Sequence, residues 1–115
     1  MLKVNSSTPW GRAQAVSVLV PDQMVSVSCA GHGGVKVYRT LNKLIPAPLR
    51  SPFMGKAGWY EEDCEAAIPL YFLHDRLPEK DRERLKKDRL LATIHRHFGK
   101  QAEEAGLPKP PALQS

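Results

Sequence analysis

The chain has 115 residues and carries 17 lysines and arginines against 12 aspartates and glutamates, a formal net charge of +5. Hydrophobic residues make up 42% and charged residues 25%, ordinary globular values, so one domain with its own core is expected and a wholly disordered chain is excluded. A two-domain enzyme, a repeat array and a membrane-spanning protein are excluded too, because no apolar stretch approaches the ~20 residues of a span.

Behind Met1–Ser7 there is no apolar run of the ~7–15 residues that a signal peptide needs, so a cytoplasmic protein is expected. Arg12 to Val20 is rich in β-branched residues and ends at the turn signal Pro21-Asp22-Gln23. Met24 to Cys29 alternates, with Val25, Val27 and Cys29 on one face, and reads as a half-buried strand. After Ala30-Gly31-His32-Gly33-Gly34, Val35 to Arg39 alternates again. Three strands with short connections predict an antiparallel meander. Leu41 to Ile45 reads as one helical turn. The prolines and glycines from Pro46 to Gly58 mark a crossing loop.

A helix is expected to start at Tyr60 or Glu61, with acids in its first turn suiting the helix dipole. Cys64, Ala67, Ile68, Tyr71 and Phe72 would form its apolar face, and Pro69 would kink it. Pro78 opens a second, longer helix to about Phe98, with Gly99 as its stop and a short helical piece continuing to Ala105. Leu85, Asp88, Leu91, Ala92, Ile94, His95 and Phe98 trace its stripe. The reading is α+β: a small antiparallel three-stranded meander packed against two helices, one domain over 1–100, then a flexible Pro-rich tail over 101–115.

Charge is unevenly placed. Residues 1–57 hold seven cations and one anion, Asp22; residues 58–78 hold five acids and one cation, Arg76; residues 79–100 hold eight cations and four anions. An acidic island thus separates two basic stretches.

Four groups of residues bear on chemistry. Gly31, Gly33 and Gly34 around His32 permit close approach of a backbone or ligand, but a strand follows rather than a helix, so this is no phosphate loop. It reads as a tight hairpin turn or as an anion-binding nest. Trp59-Tyr60-Glu61-Glu62-Asp63 reads either as helix capping with aromatic anchoring or as an acid cluster for acid–base chemistry with His32. Cys29 with His32 and Cys64 has a weak zinc or cysteine-nucleophile spacing, and no metal or cofactor is expected. Arg82, Arg84, Lys86, Lys87 and Arg89, interleaved with acids, form either a solvated helix face or a phosphate-binding patch.

Thr8-Pro9-Trp10-Gly11, Ser28-Cys29-Ala30-Gly31-His32-Gly33-Gly34 and Gly58-Trp59-Tyr60-Glu61-Glu62-Asp63-Cys64 resemble, in this order, the signature blocks of a family of short uncharacterised domains encoded by phages, plasmids and integrative elements. The resemblance covers residues 8–72. It implies a mobile-element protein in a bacterial host cytoplasm and transfers no activity. It implies that Trp10, His32, Gly33, Gly34, Trp59, Tyr60, Glu61, Glu62 and Asp63 meet in one motif pocket. The leading expectation is a non-enzymatic inhibitor that binds a host defence complex, in the manner of an anti-CRISPR protein. The alternatives are a nucleic-acid-binding accessory protein, using the 79–100 helix with Arg12, Lys36 and Arg39 on DNA or RNA, and a small hydrolase using His32 with Glu61, Glu62 or Asp63.

Overall fold

The computed structural model describes residues 2–51 and 57–110. A short hairpin, β1 (Ser7–Thr8) and β2 (Gly11–Arg12), precedes a four-stranded antiparallel sheet. The sheet comprises β3 (Ala15–Val20), β4 (Met24–Ser28), β5 (Gly33–Val37) and β6 (Trp59–Glu61), in spatial order β3-β4-β5-β6. The helices are α1 (Arg39–Asn42), α2 (Ala67–Phe72), α3 (Glu79–Arg84) and α4 (Lys87–Glu104). Single 3-10 turns lie at Ala47–Leu49 and His74–Arg76. Among the described residues no helix is long and apolar enough to cross a membrane.

The expected meander is present and carries a fourth strand. Trp59, Tyr60 and Glu61 pair with Lys36, Val35 and Gly34 instead of opening a helix. Their burial alternates: Tyr60 is fully buried on the helix side, while Trp59 packs on the opposite face. Period two is what a strand delivers and a helix does not. The acids after Trp59 therefore do not sit at a helix N-terminus. The chain turns through Glu62–Ala66, with the Ala66 N–H donating to the Glu61 carbonyl at 2.8 Å, and the helix begins at Ala67. Cys64 lies before it. Pro69 falls in the first turn, where its missing N–H has no helical partner to lose, so it neither kinks nor splits α2.

The third strand begins at Gly33 rather than Val35. Gly33 and Gly34 pair with Ser28 and Val27. The turn itself is Ala30-Gly31, where Gly31 adopts φ +80° and Cys29 and His32 bond across it. The first strand starts at Ala15, because Ala13 turns inward to pack on Val25 and Val27.

The predicted long basic helix is two helices. Leu85 has ψ 92°, far from helical, which brings its half-buried side chain against the core and its carbonyl to His74. His74 is buried, and its Nε2–H donates to that carbonyl at 2.6 Å. The apolar stripe of α4 is Leu90, Ile94, Phe98 and Ala102, so Asp88 and His95 lie off it. The break expected at Gly99 falls one residue earlier: Phe98 leaves the helical region (φ −136°, ψ 39°), so α4 is two helical segments joined across a kink, the second running to Glu104. It stops at Gly106 (φ +73°): the Gly106 N–H bonds to the Glu103 carbonyl and the Leu107 N–H to the Ala102 carbonyl, the two bonds of a Schellman cap. A boundary at residue 100 thus falls inside α4, with Ala102 fully buried beyond it. The chain from 106 returns along α4, where His95 Nε2–H donates to the Pro108 carbonyl at 2.7 Å. Residues 111–115 of the expected tail, and Pro52 and Gly55 of the expected loop, lie outside the described residues.

The sheet therefore has two covered faces. Met24, Val35, Val37 and Tyr60 join the helices in the main core. Val25, Val27, Val16 and Trp59 form a smaller cluster closed by Ala13, Trp10, Leu2 and Tyr38. Because His74 satisfies a part-buried carbonyl at the α3–α4 break, His74→Leu should lower stability by about 2 kcal/mol. The measurement is the urea midpoint, which should fall without a change in slope. An unmoved midpoint would mean that this bond does not hold the break.

Candidate functional site: a cationic trough at one end of the sheet

Residues of the three sequence blocks touch around Gly34, Trp10 and Trp59, whereas Tyr60 faces the other side of the sheet and His32 is exposed. Gly34 is the point of contact: a Cβ built there would stand 2.3 Å from the Tyr60 carbonyl oxygen and 2.4 Å from Trp10 Cη2. Only glycine lets the Trp10 indole lie against the strand. Trp10 meets Trp59 edge-to-face, with centroids 5.5 Å apart at 84°. Gly33 is similarly enclosed, its absent Cβ lying 2.6 Å from the Val27 carbonyl and 2.9 Å from Glu62 Oε2. The turn of the first block is tied down as well. Thr8 Oγ1–H donates to the Gly11 carbonyl at 2.7 Å, and Cys29 Sγ lies 3.3 Å from Thr8 Oγ1.

Most polar groups at this junction are used internally. The Glu62 N–H donates to the Gly33 carbonyl, and the Glu61 N–H donates to Oε1 of the buried Glu65. The Glu61 carboxyl is held above its ordinary range, by partial desolvation first and by Asp63 second. Glu62 and Asp63 are exposed, as is His32. Among the described residues His32 makes no ion pair with any carboxylate within 4.0 Å, and no group of three or more His, Cys, Asp or Glu side chains is placed to hold a metal ion. Burial and the neighbouring acids push the Cys64 thiol up, which keeps it protonated.

The basic segment is divided by the break at Leu85. Arg82 donates to the Leu77 carbonyl, Arg84 pairs with the buried Asp81 at 3.2 Å, and Lys87 stands 4.9 Å from the Tyr71 ring centroid. These three cations serve the packing of the helices, while Lys86 and Arg89 are exposed.

Unpaired positive charge gathers elsewhere, where β5 ends and β6 begins. A cavity of about 370 Å³ is lined there by Lys36, Val37, Arg39, Asn42, Lys43, Arg50, Ala57 and Gly58. Four of these are cations and none is an acid. Lys36 Nζ donates to the Ala57 carbonyl at 3.0 Å and stands 5.1 Å from the Trp59 ring centroid and 5.5 Å from that of Tyr38. Burial holds the Lys36 ammonium below its usual range. Arg50 is fixed by two carbonyls, Nε–H to Ile45 at 2.6 Å and Nη2–H to Lys43 at 2.9 Å. Arg39 and Lys43 are exposed. Buried Tyr60 donates its O–H to Asn42 Oδ1 at 2.5 Å, which turns the amide so that its NH₂ remains as donor. Burial raises the Tyr60 phenol, so it stays a donor through neutral pH.

Lys36 and Arg39 were named in sequence as part of a basic surface, whereas Lys43 and Arg50 were not. The signal was the excess of seven cations over one acid in residues 1–57, read as a total rather than as a place.

The fold is a small α+β domain with a cation-lined concavity. The chain belongs to the family described as Domain of unknown function (DUF7007), which matches residues 3–105 and so takes in α3 and α4 as well as the three blocks. No curated protein and no solved structure shows a detectable match to it.

Gly34→Ala should lower stability by about 2–3 kcal/mol, since the facing carbonyl and indole cannot both retreat. Thermal unfolding checks this. Trp fluorescence should change with it, because Trp10 is displaced from Trp59; an unchanged spectrum would show that the contact does not bind the N-terminal hairpin to the sheet.

Proposed function

We propose that the protein is a non-enzymatic binding module of a bacterial mobile element, acting in the host cytoplasm, and that its ligand is nucleic acid engaged through the trough. The observation that carries this reading is the concentration of Lys36, Arg39, Lys43 and Arg50 around one concavity, with no carboxylate within 4.0 Å of any of them among the described residues. Unpaired cations of this kind lower the free energy of a phosphate ligand by releasing its counterions. Inhibition of a host defence complex then proceeds through the nucleic acid that such a complex holds. Its signature is co-purification with defence-complex subunits that disappears on nuclease treatment. A hydrolytic role for His32 with Glu61, Glu62 or Asp63 draws no support from an ion pair at that junction.

Fluorescence anisotropy with a mixed-sequence single-stranded oligonucleotide tests the reading. Affinity should fall steeply between about 50 and 200 mM salt. Arg39→Ala with Lys43→Ala should reduce the log–log salt slope by about 1.4, the value for two lost contacts on a single strand. Lys86→Ala with Arg89→Ala should leave it nearly unchanged. Salt-independent binding, or equal losses in the two variants, would defeat the proposal.

A pH series adds a sign. Lys36 holds its proton less tightly than its ordinary 10.5 implies, because burial disfavours the charged form. Affinity should therefore decline as pH rises toward that value, and Lys36→Met should be weaker at neutral pH and flatter in the alkaline range.

A further inference from the structure

Resting on the nucleic-acid reading, we infer that the trough takes a terminal phosphate of a strand, not a run of internal phosphodiesters. Size is the first ground. About 370 Å³ lies at the small end of the ~300–1,000 Å³ typical of pockets for single small ligands. The four cations line this one concavity; the adjoining hollow of about 240 Å³, which shares Asn42, Arg50 and Ala57 with it, adds Ser51 but no further cation.

Charge is the second ground. An internal phosphodiester carries one negative charge, whereas a terminal monoester carries about −1.5 to −2 at pH 7 and three acceptor oxygens. Four cations on the lining of one concavity are matched better by the second group than by the first.

Donor inventory is the third. Lysine and arginine side chains donate and never accept, and the Asn42 amide presents its NH₂ because Tyr60 occupies its oxygen. The carbonyls of Ile45, Lys43 and Ala57 are already engaged by Arg50 and Lys36. The polar side chains that line the concavity thus offer mainly donors, the one acceptor among them, Asn42 Oδ1, already taking the Tyr60 hydroxyl, which fits an acceptor-only ligand.

Preorganisation is the fourth. Lys36 is half-buried against the Tyr38 and Trp59 rings, and Arg50 is held at two of its nitrogens, so two of the four cations lose little freedom on binding. Gly58 contributes by its lack of a side chain. At φ +84°, a Cβ there would stand 2.3 Å from the Val37 carbonyl and 3.0 Å from Lys36 Nζ, so glycine leaves the ammonium its position on the wall.

The test compares oligonucleotides of one sequence with a 5′-phosphate, a 3′-phosphate or hydroxyls at both ends, by anisotropy against the full chain. One phosphorylated form should bind about tenfold or more tightly than the hydroxyl form, the scale of a charge-assisted contact. That preference should vanish in Arg39→Ala with Lys43→Ala, whose fold is checked by its unchanged melting curve. A mononucleotide carrying the preferred phosphate should compete, and inorganic phosphate should compete more weakly. Equal binding of all three forms would overturn the inference and leave the nucleic-acid reading standing. Failure of every form to bind would overturn both.

Discussion

The contact of Trp10 with Gly34 is the one on which the rest of the structure depends. A strand that admits an indole against its backbone gives up a side chain there, and Gly34 does so at a position hemmed in by the Tyr60 carbonyl. Trp10 then anchors the N-terminal hairpin over the second face of the sheet and supplies the edge partner of Trp59. Trp59 in turn carries the Lys36 ammonium over its ring. Gly34, Trp10, Trp59 and Lys36 thus form a continuous physical chain from the glycine-rich turn to the trough. The conspicuous motif residues are mostly the frame, and the cation-lined trough lies one step beyond them.

The helical side solves a different problem. A continuous helix from Pro78 to Phe98 would have carried Arg82 to Arg89 as one cationic face. The break at Leu85 prevents that, and the freed carbonyl is met by His74 from the preceding 3-10 turn. The cations around the break are then drawn into capping and packing, on the Leu77 carbonyl, on Asp81 and over Tyr71. Their abundance in the sequence reflects the assembly of short helices as much as any ligand.

Local alternation made β3, β4 and β5 legible, because Val25 and Val27 against Ser26 and Ser28 declare a two-faced strand without reference to anything distant. Trp59-Tyr60-Glu61 does not declare itself as a strand, because three residues are too few to display a period and the acids that follow mimic the first turn of a helix. What decides the matter is pairing with Lys36, Val35 and Gly34, more than twenty residues away. The helix break was hidden for a similar reason, since Leu85 has no local cause to leave the helix and does so for the core and for His74. Pro69 misled in the other direction: its effect depends on its position within the helix, and that position followed from the misplaced start. The convergence of the three blocks was legible as a juxtaposition. The trough was legible only as an excess of charge, because Lys36, Arg39, Lys43 and Arg50 are gathered by the end of β5, α1 and the turn at Ala47–Leu49 rather than by spacing along the chain.

The sheet also separates charge. Glu61 and Glu62 stand beside Gly34 and Gly33 at one end of the β5–β6 ladder, with Asp63 following, while Lys36, Arg39, Lys43 and Arg50 gather at the other end. Two to three residues of strand lie between Gly33 or Gly34 and Lys36, roughly 7–10 Å, about one screening length (~8 Å) in physiological salt. The molecule is therefore a small electric dipole embedded in a net positive charge. Near a polyanion such a body is turned before it is touched: the field draws the basic end inward and presses the acidic end away. Such a field orients an approaching charged body only within about a screening length, so the orienting effect weakens as salt rises.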